Sequence, residues 1–357
     1  MEKKIINVNP FLNIKANIEE RIHNNRSMLS IGVILLLLAV PYFGFSQYII
    51  RITIMVGIYT MLALGLNVLT GFTGLVSLGH AGFFAIGAYT AAILMIKLNM
   101  NFLPAALIAM AVTGVCGLLI GLPTLRLTGT YLSIVTLGFG EIVKMVIMNW
   151  DSVTNGTLGL RNIPRPSFFG YQLTLANNGM YYLMMALLIL VTFICMTIQH
   201  TKSGRALRAI KANELAATMM GIRTARYKIL AFVISAVITG LAGSFYATLV
   251  GYIDHNSFTF DVSILILSIV ILGGMGTIRG MFLGAAILIV FPEIARPLME
   301  WRFVVYGIVL IVMMRFRPQG VLGWRSAIPY KIPEEKPVHL RSRSDYSKKR
   351  GGQYGIS

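Results

Sequence analysis

Long apolar runs alternate with short polar breaks through most of the chain. The runs fall at about 28–46, 49–70, 81–98, 102–122, 129–150, 178–198, 227–250, 260–274, 279–294 and 302–315. Each matches or approaches the roughly 20 residues a helix needs to cross a bilayer. The last three are short, so eight to ten spans is the expectation. The pattern predicts an all-α fold, a polytopic transmembrane helix bundle. Residues 1–27 form a polar tail with five Lys/Arg and three Glu, residues 28–323 the transmembrane domain, and residues 324–357 a basic tail with no apolar run.

Two interruptions differ from ordinary loops. Residues 71–82 (GFTGLVSLGHAG) carry four glycines with serine, threonine and histidine; residues 273–280 (GGMGTIRG) are a second glycine-rich break. Such backbone is tolerated at membrane depth only where it is buried in protein or lines a cavity. Two broken or re-entrant segments are therefore expected, with Ser77, Gly79, His80, Gly82, Gly273, Gly274 and Gly276 as candidates for the translocation pathway. Free backbone N–H groups at half-helix starts would favour a substrate carboxylate. His80 either hydrogen-bonds freed backbone and fixes the broken helix, or touches substrate. Glu141 is a further pathway candidate, because an ionisable group inside a span is costly; with Lys144 at i, i+3 it can instead be neutralised. Residues 82–88 (GFFAIGA) after the first break resemble 280–286 (GMFLGAA) after the second, a weak internal echo.

The polar stretch at 200–228 is a basic island. It holds Lys202, Arg205, Arg208, Lys211, Arg223, Arg226 and Lys228 against a single acid, Glu214. Two short helices are predicted, joined at 211–213, with Asn213 as N-cap, Glu214 in the first turn, where the helix dipole favours an anion, and Gly221 as the stop. Leu215, Ala216, Met219 and Met220 form an apolar face at i, i+3, i+4 spacing.

Composition agrees with the pattern: 56% of residues are hydrophobic and 12% charged, and mean hydropathy is +0.74. The net charge of +18 does not point to nucleic acid, because 22 of the 31 Lys/Arg lie in the N-terminal tail, the island and the stretch from Arg315 onward. That segregation follows the positive-inside rule and places both termini and the island in the cytoplasm. Cys116 and Cys195 lie in apolar runs, with neither disulfide nor metal spacing. The polar start predicts a retained first span rather than a cleaved signal peptide. No HExxH, GxSxG or Walker motif occurs, so nothing supports catalysis by this chain.

Residues 63–89 (ALGLNVLTGFTGLVSLGHAGFFAIGAY) resemble the signature of LivM-type permease subunits of branched-chain amino acid ABC transporters. TLGFGEI at 136–142, NWDSVTNG at 149–156, SGRALRAI at 203–210, LGGMGT at 272–277 and RFRPQGVLG at 315–323 fit the same family in the same order. The resemblance implies a bacterial or archaeal inner-membrane permease with no ATPase activity of its own. It implies four partners: a second, LivH-like permease, two ABC ATPases that use ATP and Mg, and an extracytoplasmic substrate-binding protein. It also makes the island an ATPase coupling loop, since such loops read Glu-Ala-Ala, three residues, then Gly. Here Leu215, Ala216 and Ala217 align, followed by 218–220 and Gly221, with the glutamate displaced to Glu214. On that basis Ala216 and Ala217 let the helix sit deep in a groove, Met219 and Met220 adapt to it, and Arg205 and Arg208 pair with acids at its rim. A urea or short-chain amide permease looks similar, and a self-contained secondary transporter is the alternative from another class.

Overall fold

A computed structural model describes residues 46–294 apart from 126, 128 and 169, together with 41, 44 and single positions between 304 and 322. These all fall in one compact unit, 1–324. Most of the apolar runs at 28–46 and 302–315, and both tails, lie outside the described residues. Apart from one two-stranded hairpin, the described elements are helical.

The helices are α1 (Gln47–Leu66), α2 (His80–Lys97), α3 (Phe102–Thr124), α4 (Thr130–Asn149), the single turn α5 (Asp151–Thr154), α6 (Gly179–His200), α7 (Lys202–Ala212), α8 (Glu214–Met219), α9 (Thr224–Val250), α10 (Phe260–Gly273) and α11 (Ile278–Ile294). Seven described stretches are long and apolar enough to cross a membrane: Gln47–Gly71, His80–Lys97, Phe102–Thr124, Thr130–Asn149, Gly179–His200, Thr224–Val250 and His255–Gly273. They coincide with the runs expected from the pattern, and α11, at 17 residues, matches another.

Small residues decide how these helices pack. α9 is the axis, and its Gly240 and Gly243 face Gly87 and the Phe84 carbonyl of α2 so closely that a Cβ on any of the three glycines would overlap backbone or Thr113. On α3, Gly117 lies against Ala236 and the Phe232 carbonyl. Without side chains to hold them apart, backbones approach closely and dispersion replaces the hydrophobic drive that lipid does not supply.

Two ends of the bundle can be told apart. At one end, residues 151–177 are pinned to the α9–α10 connection by paired backbone hydrogen bonds between Leu160 and Ile253 (2.9 and 3.0 Å), and Ile163 N–H donates to Gly251. A two-residue hairpin there pairs Ser167–Phe168 with Tyr171–Gln172. Asp254 caps the following 3-10 turn, accepting from Ser257 N–H (3.0 Å) and Ser257 hydroxyl (2.6 Å). At the opposite end lie the C-termini of α1 and α6, the start of α9, and the helices α7 and α8 of the basic island.

Candidate functional site: a docking loop and two glycine breaks

The island folds as its pattern predicts, into two helices at a sharp joint. Asn213 is extended and its Oδ1 accepts from Ala216 N–H at 3.0 Å, a side-chain N-cap for α8. Gly221 ends that helix at φ +82°, with its own N–H donating to Thr218 and Ile222 N–H to Ala217. α8 is fastened to α9, and α7 to α6. Glu214 pairs with the buried Lys228 in the first turns of α9 at 2.5 Å. Arg208 donates to the carbonyls of Gln199 (2.9 Å) and Gly204, and Arg205 to that of His200 (3.2 Å). Both arginines therefore already have acceptors at the C-terminal end of α6, where orphan carbonyls and the helix dipole draw cations. The expectation that they pair with a partner's acids left this local use out.

The outward face of α8 is apolar and bare. Leu215 is 68% exposed, Met219 79% and Met220 83%. Ala216 is exposed with them, but Ala217 is buried, so it packs α8 onto its own chain rather than presenting it to a groove. Large apolar groups thus stand exposed outside the spans, on a helix held by an ion pair and a cap.

The first break is shorter than the glycine pattern suggests. The last turn of α1 widens into a π-helical turn, Asn67–Gly71, and α2 already begins at His80, so His80 and Gly82 lie within α2 rather than in the break. Hydroxyls from other helices allow this early start. Leu78 N–H donates to Thr136 Oγ1 of α4 (3.0 Å) and Ala81 N–H to Ser263 Oγ of α10 (2.9 Å). These backbone donors have protein partners. His80 is fully buried and bridges two more hydroxyls, Nδ1 to Ser77 Oγ at 3.3 Å and Nε2 to Ser235 Oγ at 2.7 Å. Ser235 donates its only proton to the Gly65 carbonyl (2.7 Å), which makes His80 Nε2 the donor to Ser235 and leaves Nδ1 to accept from Ser77. The ring thus ties α2 to α9 and, through Ser235, to α1. Gly79 and Gly82 lie against Thr136, Phe139 and Gly140 of α4, with no room for a Cβ at Gly79.

The second break is a tight turn between two helices. Gly274 and Gly276 have φ of +107° and +93°, open only to glycine at low cost. Thr277 Oγ1 donates to the Gly274 carbonyl at 2.7 Å. Gly273 and Gly280 back onto each other, which closes α10 and α11 into a hairpin. Gly276 N–H donates across the bundle to Asn67 Oδ1 of the π turn at 2.8 Å. The two breaks therefore meet at Asn67–Gly71. Nothing in the sequence pattern assigned roles to Asn67, Thr136, Ser235 or Ser263; polar residues inside apolar runs were the available signal.

α4 is the least covered of the described spans. In its most apolar 18-residue stretch only 17% of residues are buried, against 67% in the corresponding stretches of α2 and α9. Leu132, Thr136 and Ile147 face the bundle, while Tyr131, Ile134, Ile142 and Met145 form an exposed stripe with open space at Gly138. Glu141 sits at the edge of that stripe, half-buried. Among the described residues no ion pair joins Glu141 to Lys144, contrary to the neutralisation that their spacing allows. Two charges with no ion-pair partner among the described residues, on a span, call for cover by protein or water rather than lipid.

Seven described stretches long and apolar enough to cross a membrane, joined by a fastened polar loop, define the class of multi-pass membrane proteins. The profile of one family, branched-chain amino acid transport system / permease component, matches residues 48–314, and the chain belongs to that family. It is 37% identical over 311 residues to the high-affinity branched-chain amino acid transport system permease protein LivM of Salmonella typhimurium, covering 81% of this chain and 73% of that protein. The same identity holds with LivM of Escherichia coli over 313 residues, covering 81% and 74%. LivH of Escherichia coli is 26% identical over 288 residues, covering 74% and 91%. No solved structure matches.

Proposed function

We propose that this chain is one of two permease subunits of an ATP-driven importer for branched-chain amino acids, and that α8 docks on a partner ATPase. The bare face of Leu215, Met219 and Met220 carries the reading, because it is large, apolar, outside the spans and rigidly mounted. Methionine side chains adapt to a groove without a fixed shape. Glu214–Lys228 fastens α8 to α9, and Arg205 and Arg208 fasten α7 to α6. A push on α8 is therefore delivered to two spans at once, which is what alternating access requires. ATP and Mg are used at the ATPases. An extracytoplasmic binding protein delivers the amino acid, and a LivH-like second permease completes the pathway. The open stripe of α4 with Glu141 supports its placement against that pathway or second permease. The loop and both tails face the cytoplasm, a reading supported by the segregation of Lys/Arg in the sequence.

The test is uptake of radiolabelled leucine, isoleucine, valine and urea by vesicles holding the reconstituted complex. Leucine, isoleucine and valine accumulate when ATP is present, and urea does not. Replacing both methionines, Met219→Glu with Met220→Glu, strips the ATPases from the purified complex. Uptake by this subunit alone without ATP sinks the reading.

A further inference from the structure

Lys211 is the island residue whose hydrogen bond reaches the first glycine break. It stands at the end of α7, two residues before Asn213, and its Nζ donates to the Gly71 carbonyl at 2.8 Å across 140 positions of sequence. Its stem lies over Gly74, where an added Cβ would come within 3.3 Å of Lys211 Cγ. Gly74 itself has φ +79°. No carboxylate of the described residues pairs with this ammonium. The residue as a whole remains exposed, while partial desolvation of its amine pushes it below its ordinary pKa.

The acceptor is as unusual as the donor. Gly71 is the last residue of the π-helical turn that ends α1. Such turns inside helices frequently mark functional sites. The carbonyls at a helix C-terminus are short of donors and carry the negative end of the dipole, which suits an ammonium. Gly71 is also the point where the second break touches the first. A Cβ on Gly276 would sit 3.3 Å from the Gly71 carbonyl oxygen, and a Cβ on Gly71 would crowd Gly276 N at 2.6 Å. Asn67, at the start of the same turn, accepts from Gly276 N–H.

We infer that Lys211 is the positioning residue that transmits movement of the docking loop to both glycine breaks, through the Gly71 carbonyl at the π-helical end of α1. The inference rests on the ATPase-docking reading of α8. Displacing α7 draws on the Gly71 carbonyl. The π turn holds that carbonyl and the Asn67 side chain together, so the first break and the 274–277 turn respond as one. The other fastenings of the loop, Glu214–Lys228 and the two arginines, reach α9 and α6 and leave the breaks untouched.

The experiment compares wild-type, Lys211→Met and Lys211→Arg in the reconstituted complex with partner permease, ATPases and binding protein. It measures leucine uptake and ATP hydrolysis together. Methionine keeps the stem and removes the donor; arginine restores a donor. Leucine carried per ATP hydrolysed is expected to fall about tenfold or more in Lys211→Met, the size set by losing one hydrogen bond to a charged donor. Hydrolysis persists, and Lys211→Arg recovers most of the uptake. A wild-type ratio in Lys211→Met overturns the inference, and so does a parallel loss of hydrolysis and uptake. Hydrogen exchange on the wild-type complex provides a measurement that needs no variant. Nucleotide binding is expected to change exchange at 71–79 and at 274–277 together; a change at one without the other also overturns it. The double substitution Met219→Glu with Met220→Glu separates the two levels. If it leaves the ATPases bound, the docking reading fails; if it releases them while Lys211→Met transports normally, only the role of Lys211 fails.

Discussion

The two glycine-rich breaks look alike as strings and solve different problems. The first releases backbone groups inside the bundle and satisfies them with hydroxyls from two other helices, Thr136 on α4 and Ser263 on α10, while the His80 side chain adds a link to Ser235 on α9. Gly71, Gly79 and Gly82 are there for lack of space, with Gly79 and Gly82 against the backbone and Phe139 of α4, and only Gly74 has positive φ. The second break is a local turn in which Gly274 and Gly276 supply positive φ and Gly273 and Gly280 pack against each other within its own hairpin. The glycine signal thus stands mainly for packing against other helices in the first case and for a local turn in the second. The difference sets what each break tolerates.

Substitutions can sharpen that contrast, starting with the harshest. Gly79→Leu drives a side chain into the Thr136 carbonyl, where backbone has to move, and the expected result is loss of monodisperse protein after detergent extraction. If Gly79→Leu purifies normally, the first break is not set by packing. Gly274→Ala leaves a folded protein but forces a Cβ into φ +107°, at a cost of about 1–3 kcal/mol visible as a lower melting temperature. Ser263→Ala removes the acceptor of the Ala81 amide at a fully buried site and costs about 1–3 kcal/mol. Asn67→Ala unties the half-buried Gly276 amide, although Asn67 itself is buried, and costs about 1 kcal/mol. Equal melting temperatures for the last two variants would erase the distinction between a bundle-wide and a local break.

A cap outside both breaks gives the smallest effect and a pH signature. Asp254→Ala removes the cap of the 3-10 turn and costs about 1 kcal/mol. Burial alone would raise the Asp254 carboxyl, but hydrogen bonds from Ser257 and Asn256 outweigh it and hold the group below its ordinary pKa. A carboxylate lowered in the folded state contributes stability above its unfolded pKa and loses it as pH falls through the folded value. Wild-type therefore gives up this increment on acidification, while Asp254→Ala melts with a flatter acid profile. Thermal melts across the acid range check the sign.

Legibility in the sequence followed the range of the interaction. The docking loop was readable almost residue by residue, because Asn213 as cap, Glu214 in the first turn and Gly221 as stop are local devices acting within a turn. The apolar runs were readable for the same reason, since a backbone in lipid has to satisfy its own hydrogen bonds within the run. The ends of the first break were not, because the start of α2 at His80 depends on hydroxyls 58 and 182 residues away. The burial of Ala217 and the absence of a Glu141–Lys144 pair were likewise invisible, since spacing along one helix does not say which side faces the bundle.

The sequence by itself determined the class of protein, the described spans, the position of the loop and its apolar face. Each of these follows from hydrophobic transfer and from capping within a few residues. Only the tertiary structure decided that the π turn at Asn67–Gly71 is where both breaks and Lys211 converge. Those contacts join residues 140 and 209 positions apart. Whether an amide or an ammonium finds its acceptor at such separation is settled by how the glycine-lined helices pack.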